Sequence, residues 1–324
     1  MTDKTITRRS PTISPGVTNI EKEFTLKAII VPEFGDSSVL QFANVPAPVP
    51  EPGELLISVT GAGVGPWDAK ARRGMFGARE FPYIPGAEFS GIVEVVGEGV
   101  EGFAVGDPVY ASTGAGAHAE LASARADRAA RAPQTLDLVD AGAVPVGAGT
   151  AIEGLDDHLR IGPGESVVVA GAAGGVGTFA VQIAKARGAR VVATASPSNH
   201  DFLRSIGADE VLDYHGDWVA AARPVDAAFD CVGGTTWDEC VAAVRDGGRA
   251  VSIIGSVPLD TDRDVTLSTF AARLTGERLV AAARLVDDGK LKVEIAARLP
   301  LEEAAKAHDM IETGHTRGKI VLVP

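Results

Sequence analysis

AGAAGGVGTFAVQIAKARGARVVATAS, residues 170–196, decides the fold. Four glycines fall between Gly171 and Gly177. In the residues that follow, Val176, Phe179, Ala180, Ile183 and Arg187 share one side of a helix, and Gln182 and Lys185 lie on another. An apolar run, ESVVVAG, precedes the glycines, and a second, RVVATA, closes the stretch. Strand, glycine turn, helix and strand make a βαβ unit, the context a glycine motif needs before it means dinucleotide binding. Glycines let the backbone approach a pyrophosphate, whose charge then meets the free N–H groups and the dipole at a helix N-terminus. The form GAAGGVG departs from G-x-G-x-x-G, because the first motif position, counted back from Gly177, is Ala172.

The same rhythm continues downstream. HDFLRSIGA reads as a helix, EVLDY and VDAAFDCV as the third and fourth strands, RAVSIIG as a fifth and VTLST as a sixth. Thr236 and Glu239 have capping-box spacing at the start of a predicted helix, TTWDECVAAVRDGG. Strands alternating with helices imply a parallel, doubly wound Rossmann sheet. Upstream, LKAIIV, ELLISVTGAGV and SGIVEVVG are short strands between Pro and Gly clusters, with a helix expected over 67–73. From about Gly276 come a helix, the strand-like KLKVEIAARL, a helix over 301–312 and a last strand, KIVLVP. The fold class is α/β: an antiparallel β domain (24–148 with 276–324) and a dinucleotide-binding domain (149–275), after a loose tail (1–23).

Composition narrows the function. Of 324 residues, 45 % are hydrophobic and 23 % charged, as in soluble enzymes. No apolar run reaches the roughly 20 residues of a membrane span, and the first residues lack a signal-peptide core. Two cysteines, Cys231 and Cys240, cannot make a disulfide framework, so a cytoplasmic protein is expected. A net charge of −13 repels nucleic acid and anionic membranes, so neither is expected as a partner. An anionic cofactor then needs a local basic pocket.

AGVGPWDAK, YIPGAEFSGIVEVVGEGVEGFAVGDPVY, PVGAGTAIEGL, LRSIGADEVLDY, FDCVGG and GHTRGKIVLVP, with the glycine block among them, resemble the medium-chain dehydrogenase/reductase superfamily in order. GAAGGVG looks like its zinc-independent quinone oxidoreductase branch, which contains ζ-crystallin. The resemblance implies a GroES-like first domain and no zinc. The positions of a ligand Cys and a ligand His hold Gly65 and Ala87, and the four-cysteine structural lobe is missing. His118 and His200 are read as loop or cofactor-edge residues, and Cys231 as a small buried one.

For the cofactor, the resemblance places the amides of Gly174, Gly175 and Val176 at the pyrophosphate, within a loop that includes Gly171 and Ala173. It places Thr150 and Val232 near the nicotinamide, Ile254 and Gly255 near its ribose, and Tyr214 at the adenosine phosphate. The second strand ends in ATASPSNH, where Ser196 and Asn199 stand and no carboxylate precedes Asp201. Small polar groups there tolerate a 2′-phosphate, so NADPH is expected rather than NADH. Asn199 replaces a lysine common in NADPH members.

Without a Lewis acid, hydride transfer requires an acceptor that is already electron-poor, such as a quinone or conjugated enone. Lys70 and Asp68 are the candidate catalytic residues, Lys70 for the enolate and Asp68 chiefly for holding the loop. Gly65, Trp67, Phe76 and Tyr83 are candidate pocket residues. The family often has Asn at Gly65 and Tyr at Lys70 and Phe76. Two other readings stay open: a dedicated biosynthetic enoyl reductase or atypical cyclase, and a non-catalytic NADPH-binding protein. A homodimer is expected through an edge made by RAVSIIG and VTLST.

Overall fold

Two sheets of opposite character carry the chain. The computed structural model describes residues 25–222 and 224–324, and the expected tail, residues 1–23, lies outside them. β1 (Thr25–Ile30) and β2 (Gln41–Pro46) form an antiparallel pair. β3 (Glu54–Val64) then leads through helix α1 (Pro66–Arg72) to β4 (Glu88–Val96), β5 (Pro108–Ser112), β6 (Leu121–Arg125) and β7 (Ala129–Arg131). β3 alternates buried and half-buried residues and then becomes buried throughout as it nears the second sheet. Helices α2 (Leu138–Ala141) and α3 (Pro145–Glu153) cross to that sheet.

The second sheet is built from β8 (Ser166–Ala170), helix α4 (Gly177–Ala186), β9 (Arg190–Ala195), α5 (His200–Ser205), β10 (Glu210–Asp213), α6 (Trp218–Ala222), β11 (Val225–Asp230), α7 (Thr235–Ala243), β12 (Val244–Ser252) and β13 (Val265–Thr269). Its order is β10-β9-β8-β11-β12-β13 and every pairing is parallel. The strand order reverses beside β8, the place where a doubly wound sheet opens a ligand crevice. Val167 to Ala170 of β8 are buried, as a central strand covered on both faces must be. One face packs on α3, α4 and helix α8 (Gly276–Asp287), and the other on α6 and α7 through Trp218 and Trp237.

The chain returns through β14 (Ile295–Pro300), α9 (Ala304–Glu312) and β15 (Lys319–Val323), completing the first sheet as β14-β15-β3-β4-β5-β7 with β6 on β3. The β14–β15 pair is parallel in an otherwise antiparallel sheet.

Three local expectations are corrected. The Thr236–Glu239 capping box does not form. Gly234, with φ of +59°, stands at the N-cap without a side-chain bond, and Glu239 accepts from the Trp218 indole N–H at 3.0 Å. The helix stops at Ala243 rather than Gly248, because Val244 turns into the core beside Val225 and the strand begins there. RAVSIIG is interior, between β11 and β13, so only VTLST forms an edge. Gln182 faces inward, its amide exchanging bonds of 2.8 and 3.0 Å with the Lys292 backbone.

Candidate active site at the sheet junction

The glycine loop leaves β8 through Gly171, whose φ of +70° favours a residue without Cβ. A methyl on Gly177 would overlap the Gly171 carbonyl and the Ala172 backbone, so the first turn of α4 lies directly on the loop. The Gly174 N–H is committed to Gly171 O at 3.0 Å. The N–H groups of Gly175 and Val176 pair with no acceptor among the described residues, and they open the turn that starts α4. They are the donors free for a pyrophosphate. Gly147 of α3 packs against this loop, since a Cβ there would lie 2.6 Å from Gly175 O. Thr150, one turn on, is buried on the same side of α3.

Next to Gly171 stand two more loops. A Cβ on Gly171 would meet Val232 at 2.9 Å, and one on Gly233 would meet Ile254 at 3.0 Å. Gly171, Val232 and Ile254, predicted separately, therefore converge, whereas Gly255 is exposed with open space around it. What holds the two loops together is Asp230, which the sequence reasoning missed. Its fully buried carboxylate accepts from Val232 N (2.8 Å), Gly233 N (3.0 Å) and the Ser252 hydroxyl (2.6 Å). Ser252 in turn accepts from Ile254 N at 3.0 Å. The available signal was a carboxylate ending an apolar strand, AAFD, where only a dense set of donors makes burial tolerable. Cys231 beside it has its thiol pushed up well above the ordinary range by burial and then by Asp230, the state of an inert thiol.

At the end of β9, Ser196 accepts from the Asn199 amide (3.1 Å) and lies 3.2 Å from the Ser198 hydroxyl. His200 bonds Ala195 O at 3.2 Å. Tyr214 is exposed at the end of β10, its ring 4.2 Å from that of His215, and His215 contacts Asp213 at 2.8 Å. The polar rim is thus bonded within itself.

On the other side of the junction, Gly65 caps α1. Its N–H donates to Asp68 at 2.9 Å, and a Cβ there would meet nothing within 4 Å. Asp68 is buried, and its carboxylate ties the Gly65 N–H to the first turn of α1. Trp67 stacks on Phe76 at 4.0 Å between centroids and 21°, both about half exposed. Lys70 is half-buried on the face of α1 that carries Trp67. Tyr83 belongs to another cluster, 5.9 Å from Phe81, with the Arg79 guanidinium 3.9 Å from its ring centroid.

Two charged residues weld the halves together, and neither was predicted. Glu88 and Lys319 form an ion pair with both side chains almost fully buried. Glu88 also accepts from Val146 N at 2.7 Å and abuts Gly63, while Lys319 carbon lies 3.1 Å from where a Gly175 Cβ would be. Gly318 N donates to Ala173 O at 3.0 Å. The end of β3, and so Gly65, is tied to the glycine loop. Lys319 was legible only as a charge opening an apolar strand.

Below α1, Arg72 is fully buried and bonds Glu312 at 2.6 Å. His118 is buried with its Nε2 3.1 Å from Gly63 O, and burial, with His118 and Arg72 nearby, pushes His308 down to about 2. The side chains of Gly65 and Ala87 carry no metal-ligating atom, and no cluster of three His, Cys, Asp or Glu exists among the described residues.

Family models for an alcohol dehydrogenase GroES-like domain and a zinc-binding dehydrogenase match residues 51–135 and 206–322. The chain is 32 % identical over 323 residues to a quinone oxidoreductase of Rattus norvegicus, covering 92 % of this chain and 98 % of that one. It is 32 % identical over 323 residues to an NADPH-dependent alkenal/one oxidoreductase of Arabidopsis thaliana, covering 94 % and 81 %. A mycobacterial protein solved with NADPH superposes with a TM-score of 0.84 at 32 % identity, over 92 % of this chain and all of that one.

Proposed function

The chain belongs to the quinone oxidoreductase branch of the medium-chain dehydrogenase/reductase superfamily, and from that membership we propose that it reduces a quinone or the activated C=C bond of an α,β-unsaturated carbonyl, with NADPH as reductant and without zinc. The observation that carries this reading is the weld just described. Free N–H groups of Gly175 and Val176 and the open space at Gly65 are held in one frame by Glu88 and Lys319. A backbone cradle without Cβ atoms, at a helix N-terminus, fits a dinucleotide pyrophosphate.

When bound, the dinucleotide supplies a hydride to an electron-poor carbon. Gly175 and Val176 hold its pyrophosphate, and Thr150, Val232 and Ile254 shape the nicotinamide end. Trp67 and Phe76 offer an apolar wall to a flat acceptor and exclude water. Lys70, on the same face as Trp67, hydrogen-bonds the acceptor oxygen as it becomes an enolate, and Lys70 or solvent supplies the proton. Gly65 and Ala87 have no side-chain donor where the resemblance puts zinc ligands, so the acceptor must bring its own electron deficiency.

Ser196 and Asn199, with no carboxylate beside them, support NADPH over NADH. The exposed edge β13 supports a homodimer, and the two free cysteines a cytoplasmic setting. Among the described residues no helix is long and apolar enough to cross a membrane. The test is NADPH and NADH oxidation against quinones, simple enones and enoyl thioesters. Turnover of several quinones or enones with NADPH preferred is expected. Cofactor binding with no turnover of any acceptor overturns the reading.

A further inference from the structure

The second strand of a doubly wound sheet ends where the adenosine ribose lies, and an arginine there commonly receives a 2′-phosphate. This chain has no such arginine to spare. From Ala195 to Trp218 the only lysine or arginine is Arg204, and it bonds Asp201 at 3.0 Å. Ser196 and Asn199 are neutral and bonded to one another. Two histidines remain, His200 and His215, and the sheet brings them to one rim. Asp213, the last residue of β10, is the parallel partner of Ala195, the last of β9. His200 bonds the Ala195 carbonyl through Nε2 at 3.2 Å, and His215 bonds Asp213 through Nδ1 at 2.8 Å. His200 is half-buried, whereas the His215 side chain is 65 % exposed and its Nε2 meets no partner among the described residues. The His215 ring lies 4.2 Å from that of Tyr214, which is also exposed. Asp213 is an anion here, its carboxyl held below the usual range first by the His215 backbone N–H and then by the ring. An anion at Nδ1 keeps a proton on that nitrogen and leaves Nε2 for another group. A second proton, on Nε2, makes the ring a cation with a free donor.

We propose that His215, held by Asp213, receives the 2′-phosphate of NADPH and supplies the cofactor selectivity that the neutral Asn199 does not. This rests on the NADPH reading above and gives His215 no part in hydride transfer. The Nε2–H donates to a phosphate oxygen in a charge-assisted bond. The ring also neutralises the Asp213 carboxylate, which would otherwise repel an anion at this rim. NADH offers a neutral ribose hydroxyl in place of the phosphate and gains little from the cation.

The experiment is calorimetric titration of NADPH, NADH, 2′,5′-ADP and 5′-AMP into wild type, His215→Gln and His215→Lys. Wild type should bind NADPH about tenfold tighter than NADH, with the gap narrowing at high salt. His215→Gln should weaken NADPH and 2′,5′-ADP about tenfold and leave NADH and 5′-AMP unchanged, while His215→Lys should keep the selectivity. Adding Asn199→Lys to His215→Gln should restore the preference for NADPH. A His215→Gln protein that selects NADPH as well as wild type does, or that loses NADH affinity equally, overturns the proposal and leaves the NADPH reading standing. Equal wild-type affinity for NADPH and NADH, or binding of neither, overturns the NADPH reading, and this proposal with it.

Discussion

Asp230→Asn keeps the shape of the side chain and removes its charge, which makes it the sharpest probe of the cofactor side. In the wild type Oδ1 accepts from Val232 N and Gly233 N, and Oδ2 from Gly233 N and the Ser252 hydroxyl. With the asparagine oxygen kept at Oδ1, two N–H bonds survive but lose charge assistance, about 0.5–1 kcal/mol each. The new amide nitrogen puts a donor where Oδ2 accepted from Gly233 N and the Ser252 hydroxyl, so the hydroxyl must turn its proton away and Gly233 N–H meets another donor, a mismatch of about 1–2 kcal/mol. The expected loss is about 3 kcal/mol in urea unfolding followed by circular dichroism. Because the Val232 and Ile254 loops loosen with it, the NADPH dissociation constant in calorimetric titration should rise about tenfold. Ser252→Ala removes the same bond and orphans Ile254 N, so the double variant should cost clearly less than the two single losses added together. A variant within about 0.5 kcal/mol of wild type, with unchanged NADPH affinity, would refute the claim that this carboxylate organises both loops.

Gly177→Ala puts a methyl into the Gly171 carbonyl. Pushing α4 off the loop should abolish measurable cofactor binding, while Gly174→Ala, whose Cβ would come only to 3.3 Å from Gly171 O, should retain it. Lys319→Met leaves Glu88 as a buried charge without its cation and should cost about 3–5 kcal/mol. Pairing it with Glu88→Gln should recover part of that loss in the same unfolding assay. His308 stays neutral in the folded protein down to about 2, against 6.5 ordinarily. The unfolded chain therefore binds the extra proton in between, and stability from this group is complete above 6.5 and falls as pH drops. Between pH 6.5 and 5 the fall is about 2 kcal/mol, and His308→Leu should flatten that slope in urea midpoints taken across the range.

Much of the fold is a property of local sequence. The run from ESVVVAG to RVVATA states strand, tight turn, helix and strand through glycine placement and periodicity, and the structure places β8, α4 and β9 on it. The Asp68 cap is legible for the same reason, since Gly65 and Asp68 are three residues apart. Local pattern failed where distant residues competed for the same groups. Glu239 had capping-box spacing, but Trp218, 21 positions away, offered its indole N–H. Glu88 and Lys319 stand 231 positions apart, and Arg72 and Glu312 stand 240 apart. A charge in an apolar strand can be recognised in sequence, but its partner cannot. Desolvation makes such a charge intolerable alone, and only tertiary packing decides which opposite charge meets it. The sequence by itself determined a dinucleotide-binding sheet joined to an antiparallel one. Tertiary structure decided that Glu88 and Lys319 hold them in register, and which backbone N–H groups were left open to a ligand.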